Sequence, residues 1–159
     1  MDSDLIDIHR TLVIIKPDAV QRGLVGEVVR RFEHKGLKLV GLKLFNLPSE
    51  KAKELYQPHH GKSFYNYLIE FMTSSPIVAI CLEGVNAIDI VRMINGATKP
   101  TEAQPGSIRG DYSIDITRNV VHASDSVENA ARELAILFDP SELNEYQRID
   151  DGILYSPEC

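Results

Sequence analysis

The stretch "IVAICLE", residues 77–83, limits the possible folds more than any other part of this chain. Its first six residues are the longest purely apolar run, and a bilayer-spanning helix needs about 20 such residues. The run lacks both the alternation of a half-exposed strand and the three-to-four spacing of a surface helix. A short segment that is apolar on both faces is expected as a central, buried strand. Two further strand-like runs precede it in the chain. Residues 11–16, "TLVIIK", end at Pro17, which cannot continue a ladder, and residues 37–46 read "LKLVGLKLFN". A last strand is expected near 119–123.

Between these strands the apolar period becomes helical. Val25, Val28, Val29 and Phe32 fall at i, i+3, i+4, i+7, and Gly36 stands where a left-handed C-terminal glycine belongs. Ser49 offers an N-cap for a short helix through about Tyr56. Phe64, Tyr67, Leu68 and Phe71 form one stripe, and Ala87, Ile90, Val91 and Ile94 another. Val127, Ala130, Ala131, Leu134, Leu137 and Phe138 form the last, expected to face inward. Residues 97–118 have almost no period, and irregular stretches of that length are commonly functional. The order β-α-β-(αα)-β-α-β-α holds two β-α-β units. It predicts an α+β, ferredoxin-like sandwich: a four-stranded, mainly antiparallel sheet with helices on one face, an inserted helical hairpin and a long irregular loop. A doubly wound parallel sheet is the alternative, although four strands would make it small. No linker or repeat interrupts residues 1–159, so a single domain is expected, with a C-terminal tail from about residue 139.

The net charge of −6 opposes binding to nucleic acid, which needs a clustered basic surface. Neither a specific nucleic acid nor a membrane is expected as a partner. The start, "MDSDLIDIHR", is acidic and lacks the apolar centre of a signal peptide. Cys81 lies inside the apolar run and Cys159 is the last residue, so the thiols read as one buried hydrophobe and one tail residue. These features predict a cytoplasmic protein.

No glycine-rich phosphate loop of either common kind is present, so any nucleotide has to be held by side chains. The candidates are Lys16 at the end of the first strand, Arg92 off the apolar face of its helix, and Thr98 and Arg109 in the irregular stretch. Each alone reads equally as a solvated surface group; their convergence would be the informative fact. His122 falls at a strand end just before a helix start, where Asp125 and Glu128 resemble a capping box and backbone N–H groups favour anions. Glu133, eleven residues on, could accept a proton from one imidazole nitrogen. That would fix the tautomer and leave the other lone pair free to attack. His59-His60 has no partner at ligand spacing and is a weak metal site; no protein metal ligand is assigned. Phe64 fits a core anchor as well as a functional role.

At this point the residues resemble a family. "NVVHASDS" is similar to the active-site signature N-x-x-H-[GA]-S-D of nucleoside diphosphate kinases. The blocks "IKPDAVQRGLVGEVVRRFEHKG", "HHGKSFY", "RMINGATKPTEAQPGSIRGD" and "SDSVENAARELAILF" follow in that family's order across most of the chain. The resemblance implies ping-pong transfer of a γ-phosphate from a nucleoside triphosphate, typically ATP, to a nucleoside diphosphate through a phosphohistidine on His122. Glu133 would hold the imidazole Nε2, Ser124 would support Glu133, and Tyr56 would lie beside the ring. Lys16 and Asn119 look like ligands of the ribose 3′-hydroxyl, with Lys16 also near the transferring phosphate. Arg92, Thr98 and Arg109 look like phosphate contacts, and Phe64 like the platform for the base. Stacking without base-edge hydrogen bonds implies broad base acceptance. The implied cofactor is Mg²⁺, held mainly through the nucleotide's phosphates, and the implied assembly is a homo-oligomer, a hexamer or else a tetramer. Ala123 and Ala19 replace glycines common in the family, and Ser63 replaces a proline before Phe64. Strand alternation would send Asn119 and His122 to opposite faces unless Asn119 precedes the regular strand.

Overall fold

The expected central run forms most of β3 (Ile77–Val85), with β1 (Ile8–Ile15) on one side and β2 (Lys38–Phe45) on the other. The computed structural model describes residues 7–156, and Cys159 lies outside them. The strand order is β2-β3-β1-β4, where β4 is Val121–Ala123, and every pairing is antiparallel. The parallel alternative is therefore excluded. Helices α1 (Pro17–Gln21) and α2 (Val25–Lys35) connect β1 to β2, and α3 (Ser49–Leu55) and α4 (Tyr65–Met72) form the inserted hairpin before β3. Helix α5 (Ala87–Asn95), the short α6 (Ile108–Tyr112), α7 (Val127–Leu137) and α8 (Asp151–Leu154) complete the order.

Helices cover both faces of the sheet, not one. Leu12 and Ile14 of β1 and Ile77, Ala79 and Cys81 of β3 pack with α3, α4 and α7. Val13 and Ile15, with Val78, Ile80 and Leu82, pack with α2 and α5 on the other side. The physical reason is in the two central strands, which are buried on both faces over residues 11–15 and 77–82. A strand with two dry faces needs two covers. Phe32 of α2 is 0 % exposed, and truncating such a ring costs about 3–5 kcal/mol.

Local details correct several expectations. Gly36 does end α2 with φ 109°, the left-handed region where glycine has no Cβ penalty. The residue at the N-cap of α3 is Pro48, and Ser49 is its first helical residue. In α4 the buried residues are Tyr65, Leu68, Ile69, Phe71 and Met72, so Phe64 and Tyr67 leave the core. In α7, Val127 and Ala131 are exposed, while Ile136 is inside. Two helices, α1 and α6, occupy stretches without a readable period. Each is only five residues long, too short for an apolar stripe to repeat.

The segment after α7 lies along the outer edge of β2. Asn144 N–H donates to Val40 O at 2.9 Å, the Tyr146 hydroxyl to Leu39 O, and Arg148 Nη1 to Leu37 O at 3.1 Å. Half of an edge that could otherwise recruit another strand is thus occupied. Among the described residues no helix is long and apolar enough to cross a membrane.

Candidate active site

His122 sits in β4 opposite Ile14 of β1, and so on the face covered by α3, α4 and α7. That placement brings it to Glu133 on the buried side of α7. The imidazole Nε2 lies 3.2 and 3.3 Å from the two carboxylate oxygens. Ser124 Oγ donates to Glu133 Oε2, and Tyr56 meets the imidazole edge-on with ring centroids 5.7 Å apart. Burial would push the Glu133 carboxyl up. The His122 hydrogen bond and charge, Ser124 and Arg132 more than offset that and hold it below the usual carboxylate value. An ionised Glu133 keeps the proton on Nε2, so the lone pair belongs to Nδ1, which has no protein hydrogen-bond partner among the described residues.

The helix start behind His122 is capped differently from the sequence reading. Ser126 is the N-cap, accepting from Asn129 N–H at 3.1 Å, whereas Asp125 accepts from the Asn129 side chain at 2.6 Å. The Asp125–Glu128 spacing matched a capping box, but the extended residue next to the helix is Ser126, and that geometry decides the cap.

Asn119 precedes β4, which resolves the conflict of strand alternation. Val120 has φ 75°, an uncommon conformation for a β-branched residue, and Val121 N–H donates back to Asn119 O at 2.9 Å across this γ-turn. The turn is held on both sides by the 16–18 segment. Lys16 N–H donates to Val120 O at 2.9 Å, and Asp18 Oδ2 accepts from Val120 N–H at 3.1 Å. With the alternation broken at Val120, the Asn119 amide reaches Lys16: Lys16 Nζ donates to Asn119 Oδ1 at 2.7 Å and to Thr117 O at 3.2 Å.

Lys16, Phe64, Arg92, Thr98, Arg109, Asn119, His122 and Glu133 all line one cleft of about 510 Å³. The convergence that single residues could not show is therefore present. Arg109 is carried by α6; its Nη1 donates to Gly96 O and its Nη2 to Val121 O, both at 2.7 Å. Gly96 makes this possible, since a Cβ there would meet Ser107 Oγ at 2.3 Å. Arg92, on the open side of α5, reaches Asp125 O at 3.4 Å.

The electrostatics of the cleft favour binding of an anion. Burial, then the Arg109 charge, pushes Lys16 down to about 8 from an ordinary value of 10.5. Burial, then Arg92, pushes Arg109 down to about 10. Four cations, Lys16, Arg92, Arg109 and Arg132, line one cleft, and none of them forms a salt bridge with a carboxylate among the described residues. Lys16 and Arg109 are buried while Arg92 is exposed at the cleft's mouth; buried like charges are costly unless an anion joins them, and a polyphosphate supplies several negative oxygens. A larger groove of about 980 Å³ continues past Arg92 towards Arg30 and Arg31, but these two are already paired with Glu27 and, for Arg31, Asp111.

Two further cleft residues were not singled out as nucleotide contacts by the sequence. Ile116, 56 % exposed in the aperiodic loop, lines the same cleft as Phe64, which is 43 % exposed at the mouth of α4. An isoleucine left exposed in a polar loop was the only hint. His59 lines the cleft too, 5.4 Å from the Phe64 ring, although the His-His pair had suggested only a metal. Among the described residues no three His, Cys, Asp or Glu side chains converge as a metal cage.

A sheet with an oriented imidazole at its edge, opening on a cationic cleft, has the geometry expected of a phosphotransferase. The comparisons agree on which kind. The family model for nucleoside diphosphate kinase matches residues 9–143. The chain is 52 % identical to a nucleoside diphosphate kinase of Fervidobacterium nodosum over 139 residues, covering 87 % of this chain and 95 % of that one. It is 51 % identical to one of Methanosarcina barkeri over 148 residues, covering 93 % and 99 %. Among solved structures, the Halobacterium salinarum enzyme in complex with CDP matches with a TM-score of 0.91 at 43 % identity, covering 94 % of this chain and 100 % of that one. A transition-state mimic of the Borrelia burgdorferi enzyme, with bound vanadate and ADP, matches with 0.86 at 40 %, covering 90 % and 94 %. The chain belongs to the nucleoside diphosphate kinase family.

Proposed function

We propose that His122 is the phosphoryl carrier of this kinase, with Nδ1 as the nucleophile. The observation that carries the reading is the pair formed by His122 Nε2 and buried Glu133 beside an unpaired cluster of Lys16, Arg92 and Arg109. In the first half-reaction Nδ1 attacks the γ-phosphorus of a nucleoside triphosphate, the bond to the bridging oxygen breaks, and the diphosphate leaves. In the second half a different diphosphate takes the phosphoryl group by the reverse displacement. Glu133 holds the Nε2 proton and balances the positive charge that grows on the ring when Nδ1 bonds phosphorus.

The phosphate end of the cleft belongs to Arg92, Thr98 and Arg109, whose donors surround oxygens that carry the transition-state charge. Lys16 and Asn119, already joined at 2.7 Å, suit a ribose 3′-hydroxyl that needs both a donor and an acceptor. Phe64 and Ile116 form the two sides of an apolar slot for the base. A slot that grips the faces of a ring reads little of its edge, so base specificity is broad. The CDP and ADP carried by the Halobacterium and Borrelia relatives are consistent with this.

The donor set fits a Mg²⁺ that arrives on the nucleotide. The carboxylates lining the cleft are Asp125 and Glu133, and Glu133 is committed to His122 and Ser124. Phosphate oxygens and water would supply most ligands, with Asp125 the available protein carboxylate. When bound, the ion neutralises phosphate charge.

The whole chain acts as one domain, and its location is cytoplasmic. A homo-oligomer, most simply a hexamer, accounts for apolar groups left open: Leu42 and Leu44 on the uncovered half of the β2 edge, and Ile149 and Ile153 in the tail. Initial rates with ATP and several diphosphates test the reaction. Parallel double-reciprocal lines and similar kcat/KM across bases support it; intersecting lines exclude a phosphoenzyme. Size-exclusion chromatography with light scattering tests the assembly.

A further inference from the structure

The base slot is built from two separate pieces of chain. Phe64 stands at the entry of α4, and Ile116 in the loop that leads to β4. The loop is stiff by itself, because Asp115 Oδ1 accepts from both Thr117 N–H at 2.9 Å and Arg118 N–H at 2.8 Å. A stiff segment moves as a unit, so the width of the slot depends on where its ends are tied. The inner tie is Lys16 Nζ to Thr117 O, 3.2 Å. The outer tie is Arg118. Its Nε donates to the Tyr67 hydroxyl at 3.0 Å, and its guanidinium carbon lies 5.5 Å from the centre of the Phe71 ring. Tyr67 and Phe71 lie three and seven residues after Phe64, on one side of α4. The helical stripe read from the sequence therefore has two halves: Phe64 serves the cleft, and Tyr67 with Phe71 receives the opposite loop.

We propose that Arg118 is a positioning residue for nucleotide binding, which holds Ile116 in the cleft that Phe64 also lines by anchoring its loop to Tyr67 and Phe71. The proposal rests on the base-slot reading above. Arg118 and Tyr67 do not line the cleft, so their effect on a nucleotide passes through Ile116. Loss of the anchor leaves the slot free to widen and weakens the grip on the base while the imidazole, Glu133 and phosphate ligands stay in place. It follows that the effect depends on the substrate having a base.

The test uses the full chain with Arg118→Ala and Tyr67→Phe, the second of which keeps the ring and removes only the hydroxyl. ADP affinity is measured by calorimetry, and phosphoenzyme formation is followed with ATP and with phosphoramidate. Phosphoramidate has no base; its P–N bond breaks as the imidazole nitrogen bonds phosphorus, and ammonia leaves. The expected result for Arg118→Ala is a loss of ADP affinity of about fivefold, the size of one exposed cation–ring contact. A smaller loss is expected for Tyr67→Phe. The ATP concentration for half-maximal phosphorylation rises in parallel, and the phosphoramidate rate stays at the wild-type level. Unchanged ADP affinity in Arg118→Ala overturns the proposal, as does an equal slowing with phosphoramidate, which would mark a general structural role. Phe64→Ala separates the two levels. If it too leaves ADP affinity unchanged, the base-slot reading fails; if it weakens ADP while Arg118→Ala does not, only the role of Arg118 fails.

Discussion

Replacing Lys16 by Met should make the free protein more stable and the enzyme nearly inert. Met keeps most of the buried stem and removes the ammonium. In the fold that ammonium titrates at about 8 rather than 10.5, first through burial and then through the Arg109 charge. At about 1.4 kcal/mol per pH unit, that gap makes the charged form roughly 3 kcal/mol less favourable in the fold than in water. The substitution also leaves Asn119 Oδ1 without its donor, which costs about 1–3 kcal/mol. The net gain is ~1 kcal/mol at pH 7, a rise in Tm of about 2–4 °C for a chain of this size. The sign follows from linkage. Between pH 8 and 10.5 the unfolded chain holds the Lys16 proton more tightly than the fold does, so this group makes the wild type gain stability as pH rises. The variant lacks that term. Calorimetric melting at several pH values should therefore show the variant ahead at pH 7 and its lead shrinking towards pH 10.5. Saturating ADP should reverse the order, because the anion relieves the crowding only where the ammonium is present. Loss of this phosphate-facing donor should lower transfer by about 10²–10³. A variant less stable than wild type by the same amount at every pH would refute the reasoning.

Other substitutions separate orientation, stacking and backbone support. Glu133→Gln keeps a hydrogen-bonding group but removes the charge that fixes the imidazole proton, and kcat should fall by about 10²–10³ with little change in ADP affinity by calorimetry. The Glu133 carboxyl lies below its usual value in the fold, so it contributes stability above the ordinary carboxylate range and loses it as pH falls through the lowered value; acid melting of Glu133→Gln should be less steep than that of the wild type. Phe64→Ala should weaken ADP by about 1–3 kcal/mol and leave Tm almost unchanged, because the ring is already 43 % exposed; a collapse in Tm with unchanged affinity would return Phe64 to the core. Asp18→Ala removes the acceptor of Val120 N–H and should cost about 1–3 kcal/mol of stability by denaturant unfolding, together with activity, since the γ-turn sets Asn119 against Lys16; Asp18→Asn, which keeps an oxygen there, should recover most of both.

The order of elements along the chain, the buried central strand, most of the helix stripes and Gly36 were legible because each is a local repeat or a single special conformation. The two-sided cover of the sheet was also implicit, in runs that never alternate, yet β-α-β counting alone favours one face. What stayed hidden depends on contacts distant in sequence. The left-handed Val120 is invisible in a β-branched run, because its conformation is imposed by Lys16 and Asp18, about a hundred residues away. Arg109 looked like one loop cation among others until α6 buried it against Gly96 and Val121. Phe64 and Tyr67 kept helical spacing while leaving the core, since spacing reports a shared side and not what covers it. The pairing of His122 with Glu133 was proposed on resemblance and on one helix position; the fold supplies the 3.2 Å contact.

The measurement closest to the centre of this account is the chemical identity of the phosphorylated residue. Enzyme treated with ATP, freed of nucleotide and digested under alkaline conditions should yield a single phosphopeptide, and its ³¹P spectrum should place the group on Nδ1 of His122. Added GDP should discharge it completely as GTP, and His122→Asn should give no label. Phosphate found on another side chain, or rapid ATP-to-GDP transfer by the His122→Asn protein, would contradict it.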